Sequence, residues 1–167
     1  MVKSKLPVAV IDTTLLSRLT QLEITAVLPL IFARILIPVE VKNEAFKSSN
    51  RKRLRNLLNE MSSFFTLCNQ DDVLVKEFLK TLLDEGEAAA IAQAEFTRSA
   101  VIIDEKKGRR QAELRELPIY PTLAILCLLK EAGAIPSVKP LLEKLVRMKF
   151  HISEQVFLSV LEKVGET

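Results

Sequence analysis

The chain has a single histidine, His151, no tryptophan, one tyrosine, four glycines and two cysteines in 167 residues. Each shortage excludes a chemistry. His151 stands in "MKFHISE" with no nucleophile or metal-ligand partner beside it in sequence, as an ordinary surface or boundary histidine does. Histidine general-base catalysis and zinc ligation therefore have little to stand on. No glycine-rich loop follows the first apolar run, which argues against a P-loop or a dinucleotide fingerprint. Cys68 and Cys127 lie in the apolar contexts "FFTLC" and "LAILCLL". They read as buried thiols of a reducing compartment, and their spacing is not that of a metal site. One Tyr and eight Phe are too few aromatics for a dedicated single-strand stacking platform.

Long apolar runs are missing too. "ITAVLPLIF" and "IYPTLAILCLL" fall well short of the ~18 residues that span a bilayer. Lys3 and Lys5 precede an apolar run that stops at Asp12, too short for a secretory signal. The expectation is a cytoplasmic protein with no membrane partner. Apolar residues make up 49% of the chain, too many for a disordered one, and its length suits one domain over 1–167. A net charge of +3 and a pI near 8.9 permit a nucleic-acid partner without demanding one.

What is present is an alternation. Short, continuously apolar runs at 7–12, 34–38, 64–68, 100–104 and 117–120 read as strands. Helical patterns lie between them at 14–22, 25–33, 39–48, 51–61, 72–81, 86–97, 107–115 and 122–132. Such a pattern predicts an α/β domain with helices around a central parallel sheet of about five strands. Two further amphipathic helices, within about 137–164, are expected to pack as a C-terminal extension. Local signals support the boundaries: Pro38 after the second strand, Ser153 as an N-cap and Gly133 past a helix end.

With histidine and glycine chemistry set aside, carboxylates remain. Asp12 ends the first strand and Asp104 the fourth, so both belong at the carboxyl edge, where open α/β sheets bind ligands. Glu44 lies on the helix after the second strand. Glu87 opens the helix "GEAAAIAQAEF", whose Gly86 and Ala88, Ala89 and Ala90 allow close packing. Two readings stand at this point. The aspartates cap helices and the glutamates sit on solvated first turns. Alternatively, four acids share a site, which would repel itself unless a cation sits among them. Hard divalent cations prefer carboxylate oxygen, and such ions support phosphodiester hydrolysis without histidine or a nucleophilic serine.

On the second reading the chain must also hold a polyanion. "RKRLRNLL" places Arg51, Lys52, Arg53 and Arg55 on one helix, with Leu54, Leu57 and Leu58 facing inward. Lys106, Lys107, Arg109 and Arg110 follow Asp104 directly and belong at the rim of the same edge. Each run reads either as a solvated face or as phosphate contacts, and the 51–55 run also as a dock for an acidic protein segment.

The blocks "VIDTTLLSRL", "ILIPVEVKNEAF", "LLDEGEAAAIAQA", "VIIDEKKGRRQAE" and "PTLAILCLLKEAGAI", in that order, resemble PIN-domain proteins, above all a small prokaryotic branch. The resemblance runs from Val8 to about Glu166. It implies a three-layer PIN fold and a Mg²⁺- or Mn²⁺-dependent nuclease acting mostly on RNA. It further implies a toxin of the VapC type, silenced by a small antitoxin and homodimeric. By position it implies Asp12, Glu44, Glu87 and Asp104 as the catalytic, metal-holding acids. Arg109 matches the "GR" of the branch and is expected to support the site or order a carboxylate. Glu105 stands where the branch often has a second aspartate, and Pro121 stands before Thr122 where it usually has glycine. Glu105, Arg109 and Thr122 are thus possible additions to the site, with Glu85 an extra acid beside Glu87. The two departures motivate a rival expectation: a PIN-fold binding module without useful catalysis.

Overall fold

The computed structural model describes residues 6–166. Lys3 and Lys5 lie outside the described residues. The chain runs β1 (Ala9–Ile11), α1 (Thr13–Gln21), a 3₁₀ helix (Thr25–Leu30), β2 (Ile35–Pro38), α2 (Val39–Ala45), α3 (Arg51–Glu60) and β3 (Phe65–Cys68). It continues with α4 (Val73–Lys80), α5 (Glu85–Thr97), β4 (Ala100–Ile102), α6 (Lys106–Leu114), α7 (Thr122–Glu131), α8 (Lys139–Arg147) and α9 (Glu154–Lys163).

The strands pair in parallel in the order β3-β2-β1-β4. Ala9 faces Ile35 on one side and Ala100 on the other. Successive strand residues point to opposite faces, so the sheet divides the core in two. Ala9, Ile11, Ile35, Ile37, Ala100 and Ile102 join one cluster, with α1, α3, α7, α8 and α9. Val10 and Val101 join the other, with α4, α5 and α6. This is an α/β fold with helices on both faces. Leu142, Leu145, Val160 and Leu161 place the last two helices in the first cluster, with α9 packed on α7.

The expected fifth strand shrinks to one bridge, Val101 to Ile119. Val101 N–H donates to Pro118 O at 2.9 Å and Tyr120 N–H to Val101 O at 2.9 Å. Pro118 and Pro121 bracket the segment, and neither has an N–H to extend the ladder. The helix expected at 25–33 is a 3₁₀ turn instead, because Pro29 inside it lacks a donor and its ring crowds the preceding turn. Cys68 is half-buried rather than buried, since β3 is the outer strand, while Cys127 is buried; both are free thiols. Ser153 caps α9, accepting from Val156 N–H at 3.3 Å, and Gly133 has φ +69° just past α7. Among the described residues no helix is long and apolar enough to cross a membrane.

Candidate acidic site at the carboxyl edge of the sheet

From β1 the chain moves outward to β2 and β3, then returns to the other side of β1 as β4. The order reverses between β1 and β4, and such a switch point opens a crevice at the strands' carboxyl ends. Asp12 and Asp104 both come from there. Asp12 N–H still donates to Ile102 O at 3.2 Å, so the two strand ends remain side by side.

Asp12 is 1% exposed. Its Oδ1 caps α1 by accepting from Leu15 N–H at 2.7 Å. Its Oδ2 is buried with no hydrogen-bond partner. Burial pushes the carboxyl up to about 8; the Leu15 N–H opposes this, and the charges of Asp104, Glu87 and Asp84 add to it. Glu87 shows the same condition. It is buried in the first turn of α5, and its Oε1 has no partner. Burial raises it to about 6, helped by Asp84, Glu105 and Glu44.

α5 reaches this position because its residues are small. Gly86 through Ala94 are all buried, a helix sunk to its full circumference. A Cβ at Gly86 would strike Thr13 Oγ1 and come within 2.6 Å of Glu44 Oε2. A Cβ at Gly108 would strike Ile103 and come within 3.3 Å of Glu87 Oε1. The two glycines bring α5 and α6 against the acids. Glu44 itself accepts from Thr13 Oγ1 at 2.7 Å.

Asp104 is differently placed. Thr122 N–H donates to its Oδ1 at 2.8 Å and Thr122 Oγ1 to its Oδ2 at 2.7 Å. Arg18 forms an ion pair with the same Oδ2. The first residue of α7 is thereby capped by a carboxylate from beyond β4, which explains how Pro121, with no capping side chain, can precede the helix.

Of the remaining expected residues, Glu105 is exposed at the start of α6 and makes no side-chain cap. Lys106 and Lys107 are exposed beside it, and Arg110 pairs with Glu113 at 3.5 Å. Among the described residues Arg109 pairs with no carboxylate, and its Nε is buried without a partner. The arginine that pairs with a carboxylate of this edge is Arg18, on Asp104. On α3, Arg51 and Lys52 are exposed and Arg53 reaches Glu23 at 3.0 Å. His151 is exposed.

Three contributors escaped the sequence reading. Asp84 caps α5 by accepting from Glu87 N–H at 2.8 Å and charges both buried acids. The D-x-x-E spacing of a capping box would have found it. Thr13 follows Asp12 and carried no separate signal. Arg18 stands among the leucines of α1, and its partner is 86 positions away.

Two clefts flank α1. One, of about 510 Å³, borders the acids and is lined by Thr13, Ser17, Arg18, Glu44, Lys47 and Ser48. The other, of about 610 Å³, lies farther off, between α1 and α3, and includes Lys52 and Arg53. Among the described residues no three acid, histidine or cysteine side chains converge closely enough to enclose a metal ion as they stand. The donor chemistry nonetheless fits a hard cation. Two buried carboxylate oxygens lack partners, a costly arrangement that an oxygen-seeking divalent ion would relieve.

A PIN-domain family model matches residues 8–166, and the chain belongs to the PIN-domain family. PIN domains are generally nucleases that use divalent metal ions, so phosphodiester hydrolysis is the coarse expectation for this chain. No match was found among curated proteins.

Proposed function

We propose that the protein is a Mg²⁺- or Mn²⁺-dependent endoribonuclease, the toxin of a VapC-type toxin–antitoxin pair. The observation that carries the reading is the pair of orphaned, buried carboxylate oxygens on Asp12 and Glu87 at the switch point of the sheet. Asp12, Glu44, Glu87 and Asp104 are the proposed metal-holding, catalytic acids, with Asp84 beside them. A bound divalent ion would supply charge for the attacking water and the leaving oxygen of a phosphodiester. Thr122 holds Asp104 from two directions and Thr13 holds Glu44, so two of the acids are oriented before any ligand arrives. Lys106, Lys107, Arg109 and Arg110 on α6, with Arg51 and Arg53 on α3, are the proposed RNA contacts. The same proposal takes the chain as one domain over 1–167, acting in the cytoplasm as a homodimer. Its support is the resemblance of the five blocks and, for the domain, the core that the last two helices share with the sheet.

Titration calorimetry with Mn²⁺ on the wild type, Asp12→Asn and Asp104→Asn tests the site. Binding by wild type that both variants lose supports it and justifies a cleavage screen over RNA substrates. Absence of binding at millimolar Mn²⁺ by a folded wild type rejects the metal-dependent reading. One observation favours a catalytically inert binding module: both oxygens of Asp104 already have protein partners. That reading requires undiminished partner binding in Asp12→Asn together with no cleavage by wild type.

A further inference from the structure

The buried carboxyl of Asp12 faces the charges of Asp104, Glu87 and Asp84, and that of Glu87 faces Asp84, Glu105 and Glu44. Among the described residues the ion pairs of this group run to one cation, Arg18. The pair is sheltered, with Arg18 16% and Asp104 10% exposed. Arg18 is held from its other side as well. Its guanidinium carbon lies 4.4 Å from the ring centroid of Phe150, in the segment between α8 and α9. Stacking on an aromatic face and pairing with a carboxylate are both favoured by a flat, weakly hydrated guanidinium.

The pair contributes charge more than orientation. Thr122 already fixes both oxygens of Asp104, through its N–H and its hydroxyl. What Arg18 adds is a positive charge beside the carboxylate. It sits on one of the acids proposed to hold the cation. Arg18 also lines the cleft of about 510 Å³, so an open polar space is available to it beside the site.

We propose that Arg18 is a positioning residue acting through Asp104: a resident counter-charge, braced by Phe150, that competes with a divalent cation for the Asp104 carboxylate and sets the site's cation affinity. The inference rests on the metal-dependent reading above. It accounts for how a crowded acidic site folds before a cation arrives. It also means that cation loading and release of Arg18 from Asp104 are one linked event.

The test is Mn²⁺ titration calorimetry on the whole chain, comparing wild type, Arg18→Gln, Arg18→Lys and Phe150→Leu, with circular dichroism melts to establish folding. Arg18→Gln is expected to bind Mn²⁺ roughly tenfold more tightly or better, because a unit charge next to a ligand carboxylate has been removed. Arg18→Lys keeps the charge and should stay near wild type. Phe150→Leu loosens the brace and should fall between them. A structural brace alone predicts the opposite sign, since disrupting the site weakens binding. Equal or weaker binding by a folded Arg18→Gln overturns the inference while wild-type binding leaves the metal-dependent reading standing. Binding by Arg18→Gln but not by wild type supports it in its strongest form. No binding by any folded protein overturns both. Should Arg18→Gln fail to fold, Phe150→Leu decides: tighter binding supports the inference and unchanged binding overturns it.

Discussion

Asp12 carries a capping oxygen and an orphaned oxygen on one carboxylate. Asparagine would keep the first, since Asn and Asp cap helices alike, and would remove the ionised form from the buried site. Without metal, the unfolded chain ionises Asp12 near its ordinary 3.8, while burial and the neighbouring acids hold the folded group protonated up to about 8. This contribution to stability is fully present below about 3.8 and is lost as pH rises through about 8. Asp12→Asn should therefore lose less stability than wild type between pH 5 and pH 8.5 in urea unfolding without divalent ions. Parallel pH profiles for the two proteins would rule the burial argument out.

At the scale of elements, the helix α5 decides whether the acids meet. Its buried stretch is built from Gly, Ala, Ile and Gln around Glu87, with side chains small enough to sink the helix against β1, β2 and β4. Gly86→Ala should gain roughly 1 kcal/mol of helix propensity. The added methyl would meet Thr13 Oγ1 and Glu44 Oε2, and overpacking of this kind typically costs about 1–3 kcal/mol. We expect a net loss of about 1 kcal/mol in chemical denaturation and weaker Mn²⁺ binding, because the Thr13–Glu44 hydrogen bond is displaced. A variant as stable as wild type with unchanged Mn²⁺ affinity would show that the close approach at Gly86 is dispensable. Arg98, which ends α5 at φ 51°, is a non-glycine residue in the left-handed region. Arg98→Gly is expected to stabilise by up to about 1 kcal/mol in the same assay, since glycine adopts that conformation without steric cost. A destabilised variant would mean that the arginine side chain matters more than its backbone.

At the scale of the whole molecule, distant parts of the chain are joined by carboxylates that cap helices in trans. Asp104 does this for α7. Glu166 does it for α8, accepting from Ser137 Oγ at 2.6 Å, Val138 N–H at 2.7 Å and Lys139 N–H at 2.9 Å, with Lys130 at 3.1 Å. Burial opposes its ionisation, but these donors outweigh burial and bring the carboxyl down to about 2. Its contribution is present above the ordinary value of 4.5 and is lost as pH falls through about 2. Glu166→Gln should cost roughly 1–2 kcal/mol at pH 7, on the scale of a lost helix cap. The gap should narrow as pH drops from 5 towards 2, followed by urea unfolding across that range. A gap independent of pH would assign the loss to packing.

Much of this was legible beforehand, for local reasons. Continuous apolar runs ending in Asp12 and Asp104 fix buried parallel strands, and the reversal of strand order then puts both acids at one crevice. The alanines after Glu87 mark a helix that is buried all round. Ser153 and Gly133 mark helix ends through their own side chain or backbone. The misreadings are equally local in origin. Pro29 turned a helical pattern into a 3₁₀ turn, and Pro118 and Pro121 cut a strand to a bridge.

The sequence by itself therefore determined the alternation of strands and helices and the burial of the strands, because periodicity is a short-range property of the chain. Only the tertiary structure decided which oxygens are satisfied and which are orphaned. It paired Asp104 with Arg18, because hydrogen bonds and ion pairs join residues far apart in the chain once packing has fixed their distances and excluded water from between them.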